Sequence, residues 1–136
     1  MKNIVVLISG RGSNFVSIAE AARRENWAAE GVAISCVISN RPNAAGLDRA
    51  REMGIHAEVV DHKLYETREA FEDALMAIID RYDPAVIVLA GFMRVLTDHF
   101  VSRYPGKILN IHPALLPLFK GLDTHARAIA AGVRVH

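Results

Sequence analysis

The chain has a single cysteine, Cys36, in 136 residues, so no disulfide can form within it. Small secreted domains lean on disulfides, and a lone thiol fits a reducing, cytoplasmic setting better. Within "VAISCVIS" that thiol reads as a small buried residue. No charge of one sign dominates either: 16 Lys and Arg face 15 Asp and Glu, a net charge of +1. This balance supports neither nucleic acid nor a membrane surface as a partner, so any anionic ligand must be held by a local site. No apolar run approaches the length of a membrane span. The run in "MKNIVVLISGRG" is closed by Arg11 and is too short for a signal-peptide core. Repeats, low-complexity segments and linkers are missing. So are the HxH, HExxH and Cys–His spacings of metal sites, the G-x-S-x-G elbow and a serine triad. What the chain does have is apolar residues, 51% of the total, which argues against disorder. Its length suffices for one domain, residues 1–136, with a real core.

The apolar residues fall into two alternating patterns. "IVVLIS" (Ile4–Ser9) is a continuous β-branched run of the kind found in buried parallel strands. After "GRGSN", the stretch "FVSIAEAARREN" follows helical spacing, with Phe15, Ile18, Ala19 and Ala22 on one face. "VAISCVISN" predicts a second strand, ended by the turn signal "NRPNA". "GLDRAREMG" predicts a short helix closed by Gly54, and "IHAEVVD" a third strand. "TREAFEDALMAIIDRYD" predicts an amphipathic helix with Thr67 as N-cap. Pro84 ends it before a fourth strand, "AVIVLAGF". "TDHFVSRYPG" reads as a short helix, "KILNIH" as a fifth strand, and "THARAIAAG" as a last helix capped by Thr124. Strict strand–helix alternation predicts an α/β fold: a doubly wound, mainly parallel, Rossmann-like sheet with right-handed crossovers. In such sheets ligands bind at the carboxyl ends of the strands, near the reversal of strand order. That rule selects three loops: Ser9–Asn14, Gly91–Leu96 and Asn110–Lys120.

The first loop, "SGRGSN", joins a strand to a helix. Its glycines permit a tight turn and close approach of a ligand, and the helix N-terminus offers N–H groups to an anion. Ser13 and Asn14 can add side-chain hydrogen bonds. The third glycine of G-x-G-x-x-G is replaced by Phe15 and the P-loop Lys is missing. A monophosphate site and a plain turn with a Ser or Asn cap both fit. "GFMRVL" places Gly91 before Phe92, Met93, Val95 and Leu96, with Arg94 as the odd residue out. An apolar loop at a strand end suits a flat aromatic ligand, or ordinary core packing. "NIHP" supplies the acid/base candidate. Residues i and i+2 of a strand share a face, so Asn110 and His112 emerge side by side just before Pro113. The pKa of His lies close to neutrality, and an Asn amide can donate to an oxyanion, which together suit acyl transfer. A buried His bonded to a backbone carbonyl is the plainer reading. His62 and His99 each follow an aspartate and read as solvated. His56 begins a strand, and His125 lies near the third loop.

Taken together, "VVLISGRGSN", "VLAGFMRVL" and "LNIHPALLPLFKGLDTH" resemble the phosphoribosylglycinamide formyltransferases, folate-dependent enzymes of purine biosynthesis. The likeness runs in order along the whole chain. It implies that Gly12, Ser13 and Asn14 bind the phosphate of glycinamide ribonucleotide, with Gly91 and Pro113 shaping the substrate side. It implies that Arg68, Met93, Arg94, Val95, Leu96 and Asn110 contact 10-formyltetrahydrofolate, a co-substrate, and that no metal is needed. Asn110 and His112 match the catalytic pair: the glycinamide amine attacks the formyl carbon, Asn110 stabilises the oxyanion, and His112 donates a proton or stabilises charge. Oligomeric state is not legible, and a homodimer is left open.

Members of this family continue well beyond this length. The further part carries an aspartate that pairs with the histidine, two more strands and a loop over the folate. A carboxylate beside a histidine favours the imidazolium, so residues 1–136 alone are expected to be inactive or impaired. The alternatives are a non-catalytic mononucleotide-binding paralogue and another folate-dependent formyltransferase or hydrolase.

Overall fold

The computed structural model of the chain describes residues 2–111 and 134–135. It is built from strands β1 (Lys2–Ile8), β2 (Val32–Ser39), β3 (His56–Val59), β4 (Val86–Leu89), β5 (Ile108–Asn110) and β6 (Arg134–Val135). Four α-helices join them: α1 (Ser13–Arg24), α2 (Ala45–Glu52), α3 (Arg68–Asp80) and α4 (Asp98–Val101). Short 3-10 helices follow α1 at Trp27–Glu30 and β3 at His62–Leu64.

The sheet order is β3-β2-β1-β4-β5-β6. Strands β1 to β5 are all parallel, and β6 lies antiparallel on β5, with Leu109 opposite Val135 and Asn110 opposite Arg134. The expected doubly wound parallel sheet is therefore present, with a short antiparallel sixth strand that the sequence patterns did not indicate. The last helix expected at Thr124–Gly132 lies outside the described residues.

Alternation along the strands divides the core into two layers. Ile4, Val6 and Ile8 of β1 pack with Phe15, Ile18, Ala19 and Ala21 of α1, Ala50 of α2, and Val86 and Val88 of β4. Val5 and Leu7 face the other way, onto Phe71, Leu75, Met76 and Ile79 of α3, with Cys36, Ile38, Ile87 and Phe100. A strand buried on both faces has no polar side to show, which is why "IVVLI" is apolar at every position. The apolar stripe expected on α1 is correct apart from its edge. Ala21 is fully buried, while Ala22 is only partly so.

Element ends differ from the expected ones where backbone chemistry overrides the apolar pattern. α1 begins at Ser13, two residues ahead of its first apolar residue, because Gly12 adopts a left-handed conformation (φ 74°) and its carbonyl accepts from Val16 at 2.8 Å. α3 starts as expected, with Thr67 Oγ1 accepting from the Ala70 N–H at 3.0 Å. The helix expected over Thr97–Gly106 is regular only from Asp98 to Val101.

Candidate active site

The order of connection reverses between β1 and β4. From β1 the chain moves outward to β2 and β3, then returns to β4 on the other side. The carboxyl ends of these two neighbours therefore diverge into different loops, leaving a crevice between them. A cavity of about 180 Å³ lies there, walled by Ser9, Gly10, Gly12, Ser13 and Asn14 from the β1 loop, Ala90, Gly91 and Met93 from the β4 loop, and two arginines. These are Arg11 and Arg41, which the motif reading did not single out. Arg41 lies two residues beyond the end of β2. Its N–H donates to Ser39 Oγ at 3.0 Å while that hydroxyl donates to the Arg41 carbonyl at 2.8 Å, a small turn that directs the chain toward the crevice.

The backbone of the first loop is tightly constrained. A methyl group on Gly12 would sit 2.7 Å from the Cα of Gly46 at the start of α2, and the Gly46 N–H donates to the Gly10 carbonyl at 3.0 Å. Two glycines thus let the ends of α1 and α2 meet behind the cavity. The plain-turn reading required a Ser or Asn cap. The cap is Gly12, with no side-chain cap bond, so neither Ser13 nor Asn14 is spent on capping. Both side chains stay on the cavity wall, where the N–H groups of the first helical turn are also free to meet an anion.

A second cavity, of about 430 Å³, adjoins the first. It is walled by Leu89, Phe92, Met93, Arg94, Val95 and Leu96, with Val101, Ile108 and Asn110 behind them. Met93 borders both. The β4 loop is therefore the partition between a small pocket that carries two arginines and a larger one whose wall is built mainly from apolar side chains. Met93 and Val95 are each 72% exposed, so they serve a surface rather than the core, which answers the core-packing alternative. Phe92 and Leu96 do pack against the α3 layer. Gly91 turns the chain into this loop with φ 75°.

Asn110, half-buried at the end of β5, opposes Leu89 and faces the larger cavity. The adjoining Ile111 turns into the opposite apolar layer. His112, Pro113 and His125 lie outside the described residues. Arg68 opens α3 at an exposed position and does not join the lining of either cavity.

Behind the partition runs a buried chain of polar groups that sequence reasoning missed. The Met93 N–H donates to Ser9 Oγ at 2.7 Å, and the Ser9 hydroxyl donates to Asn40 Oδ1 at 2.5 Å. Ser9 and Asn40 are 1% and 2% exposed, too deep for water to substitute for either partner. His62 Nδ1 closes the chain, 3.1 Å from the Asn40 carbonyl oxygen and 3.2 Å from Asn40 Nδ2. The solvated reading of His62 is thus incorrect: it is half-buried, edge-on to Phe71, because Asn40 offers it a partner. The available signal was that β1 and β2, both mainly apolar, are each followed at once by a polar residue, Ser9 and Asn40. His99 is exposed as expected and pairs with Asp73 at 2.6 Å; that hydrogen bond raises its pKa above the ordinary value. Among the described residues, no three His, Cys, Asp or Glu side chains gather where a metal ion could sit. No helix among them is long and apolar enough to cross a membrane.

Comparison with known proteins agrees with this geometry. The formyl transferase family profile matches residues 2–136. Phosphoribosylglycinamide formyltransferase of Escherichia coli is 46% identical over 134 residues, which are 98% of this chain and 62% of that protein. The human trifunctional purine biosynthetic protein adenosine-3 is 44% identical over 132 residues, 97% of this chain but only 13% of the larger protein. The solved phosphoribosylglycinamide formyltransferase of Coxiella burnetii superposes with a TM-score of 0.77 at 47% identity, covering 99% of this chain and 64% of that one. The chain thus spans about three fifths of these single-function relatives. With the fold, the loops and the sequence in agreement over nearly its full length, the chain belongs to the formyl transferase family.

Proposed function

We propose that this chain binds glycinamide ribonucleotide and 10-formyltetrahydrofolate side by side and forms the first part of a phosphoribosylglycinamide formyltransferase. The observation that carries this reading is the shared partition. One loop, Gly91–Leu96, separates a 180 Å³ pocket walled by Arg11, Ser13, Asn14 and Arg41 from a 430 Å³ pocket walled by Phe92, Val95 and Leu96, and Asn110 opens onto the latter. Two reactants held on either side of one residue meet without a search, which is the main gain from proximity.

On this reading Gly12, Ser13 and Asn14 receive the phosphate, assisted by Arg11 and Arg41, while Gly91 and Pro113 shape the substrate side. The backbone of Met93, Arg94, Val95 and Leu96 reads the pterin, and Arg68 reaches the far end of the folate. The glycinamide amine attacks the formyl carbon. Negative charge then develops on the formyl oxygen, where the Asn110 amide donates to it; as the intermediate collapses the formyl C–N bond to the folate breaks, the attacking amine gives up a proton and the departing folate nitrogen takes one, with His112 supplying the proton chemistry. A single domain over residues 1–136 and a cytoplasmic setting complete the proposal.

Titration with each ligand separately, followed by a formyl-transfer assay, tests it. Binding of both by this chain, little or no turnover from it alone, and turnover of the complete enzyme that falls about 100- to 1,000-fold in Asn110→Ala are the expected results, since a lost oxyanion donor costs that much. Binding of neither ligand would overturn the proposal. Binding of glycinamide ribonucleotide alone would favour a mononucleotide-binding role.

A further inference from the structure

Glu72 is a charged residue with no exposed surface, set on the apolar face of α3 among Phe71, Leu75 and Met76. Among the described residues no Lys, Arg or His pairs with it. Both its oxygens go to one residue. Oε2 accepts the Thr97 N–H at 2.8 Å, and Oε1 accepts the Thr97 hydroxyl at 2.6 Å. Thr97 is the residue directly after the Gly91–Leu96 loop and stands at the N-cap position of α4. An N-cap threonine ordinarily turns its oxygen to the helix N–H groups. Here it makes no such bond, and its hydroxyl points to Glu72 instead.

The loop therefore has two side-chain anchors. Ser9 holds its near end at the Met93 N–H, and Glu72 holds its far end at Thr97. Between them lie Arg94, Val95 and Leu96, three consecutive members of the larger cavity's wall. Val95 is largely exposed, so within this stretch only Leu96 is held by apolar packing. An apolar residue at position 72 would suit the α3 core better than a buried carboxylate does. The carboxylate is thus placed for the loop rather than for the core.

We propose that Glu72 is a positioning residue for the folate: by holding Thr97 it fixes the backbone of residues 94–96 in the form that a flat heteroaromatic ligand reads. The inference rests on the folate reading of the larger cavity. It separates ligand affinity from stability, which a general structural role does not. Glu72→Met keeps the length and fills the core with apolar atoms but leaves the Thr97 N–H and hydroxyl without their acceptor, so the two effects oppose and the thermal midpoint should change little. Affinity for 10-formyltetrahydrofolate should fall roughly ten-fold or more, the scale of hydrogen bonds to a charged group, while that for glycinamide ribonucleotide stays unchanged. Glu72→Gln should behave nearly as wild type, because its amide can accept the N–H and donate to the Thr97 hydroxyl.

Calorimetric titration of wild type, Glu72→Met, Glu72→Gln and Thr97→Val with both ligands decides the matter. Thr97→Val removes one of the two bonds and provides the same readout should Glu72→Met fail to fold; a smaller, folate-selective loss is expected. Unchanged folate affinity in Glu72→Met, or equal loss for both ligands, would overturn the positioning role and leave the folate site standing. A wild-type chain that binds glycinamide ribonucleotide but no folate would overturn both.

Discussion

Gly10 and Gly12 lie two residues apart in one loop and face different constraints. Gly12 has φ 74°, and a methyl group there would lie 2.7 Å from backbone that cannot move aside. Gly12→Ala combines a left-handed residue with a backbone clash, so it should cost about 2–4 kcal/mol in chemical denaturation. At Gly10 a methyl group meets nothing within 4 Å. Gly10→Ala should leave the denaturation midpoint nearly unchanged while weakening glycinamide ribonucleotide binding, because the new group projects at the mouth of the cavity. Equal stability losses for the two variants would refute this distinction. At this scale the sequence was partly legible. Gly12, Ser13, Asn14, Gly91 and Asn110 stood out because strand ends in a doubly wound sheet face the crevice, and the structure places all five on a cavity wall. Ser9, Asn40 and Glu72 did not, since each acts through residues 25 or more positions away, and Arg41 did not, since only the pairing of β2 with β1 brings it to the crevice.

The layer built on α3 and α4 holds a thiol and two phenols that all keep their protons to higher pH than usual. Burial pushes the Cys36 thiol on β2 from 9.0 up to about 11. It pushes Tyr82, just beyond α3, from 10.0 up to about 12, and it raises Tyr104, just beyond α4, as well. Tyr104 also donates to Asp80 at 2.7 Å, a bond that is lost when the phenol ionises. The sign follows directly. Each group keeps its proton in the folded chain at a pH where the unfolded chain has released it. The stability these three protons contribute is therefore complete below about pH 9 and is lost as pH rises toward 11 or 12. Denaturation midpoints measured from pH 8 to 11 should show that decline, and Cys36→Ala should flatten its early part. A flat profile for the wild type would mean that this layer admits water. The elements themselves were legible because strand and helix periods differ so clearly here. Their ends were less so: α4 stops at Val101, before the Pro105 and Gly106 that were expected to end it.

For the molecule as a whole, alternation of strand and helix predicted the parallel sheet without help from any motif. The antiparallel β6 could not be read, because two residues carry no period. Nor could the pairing of β1 with β4, which joins segments some eighty residues apart and creates the crevice. This central position has a consequence of its own. Val5, Val6, Leu7 and Ile8 are 0% exposed, and β1 is bonded to a neighbour along both edges. Opening them to solvent requires the whole sheet to part, so their amides should be the last to take up deuterium, at the rate of global unfolding. Amides of residues 94–96, by contrast, should exchange early, and should slow when the larger cavity is filled. The most slowly exchanging strand and one of the most quickly exchanging loops would then be joined by a single serine hydroxyl, that of Ser9, which receives the Met93 N–H.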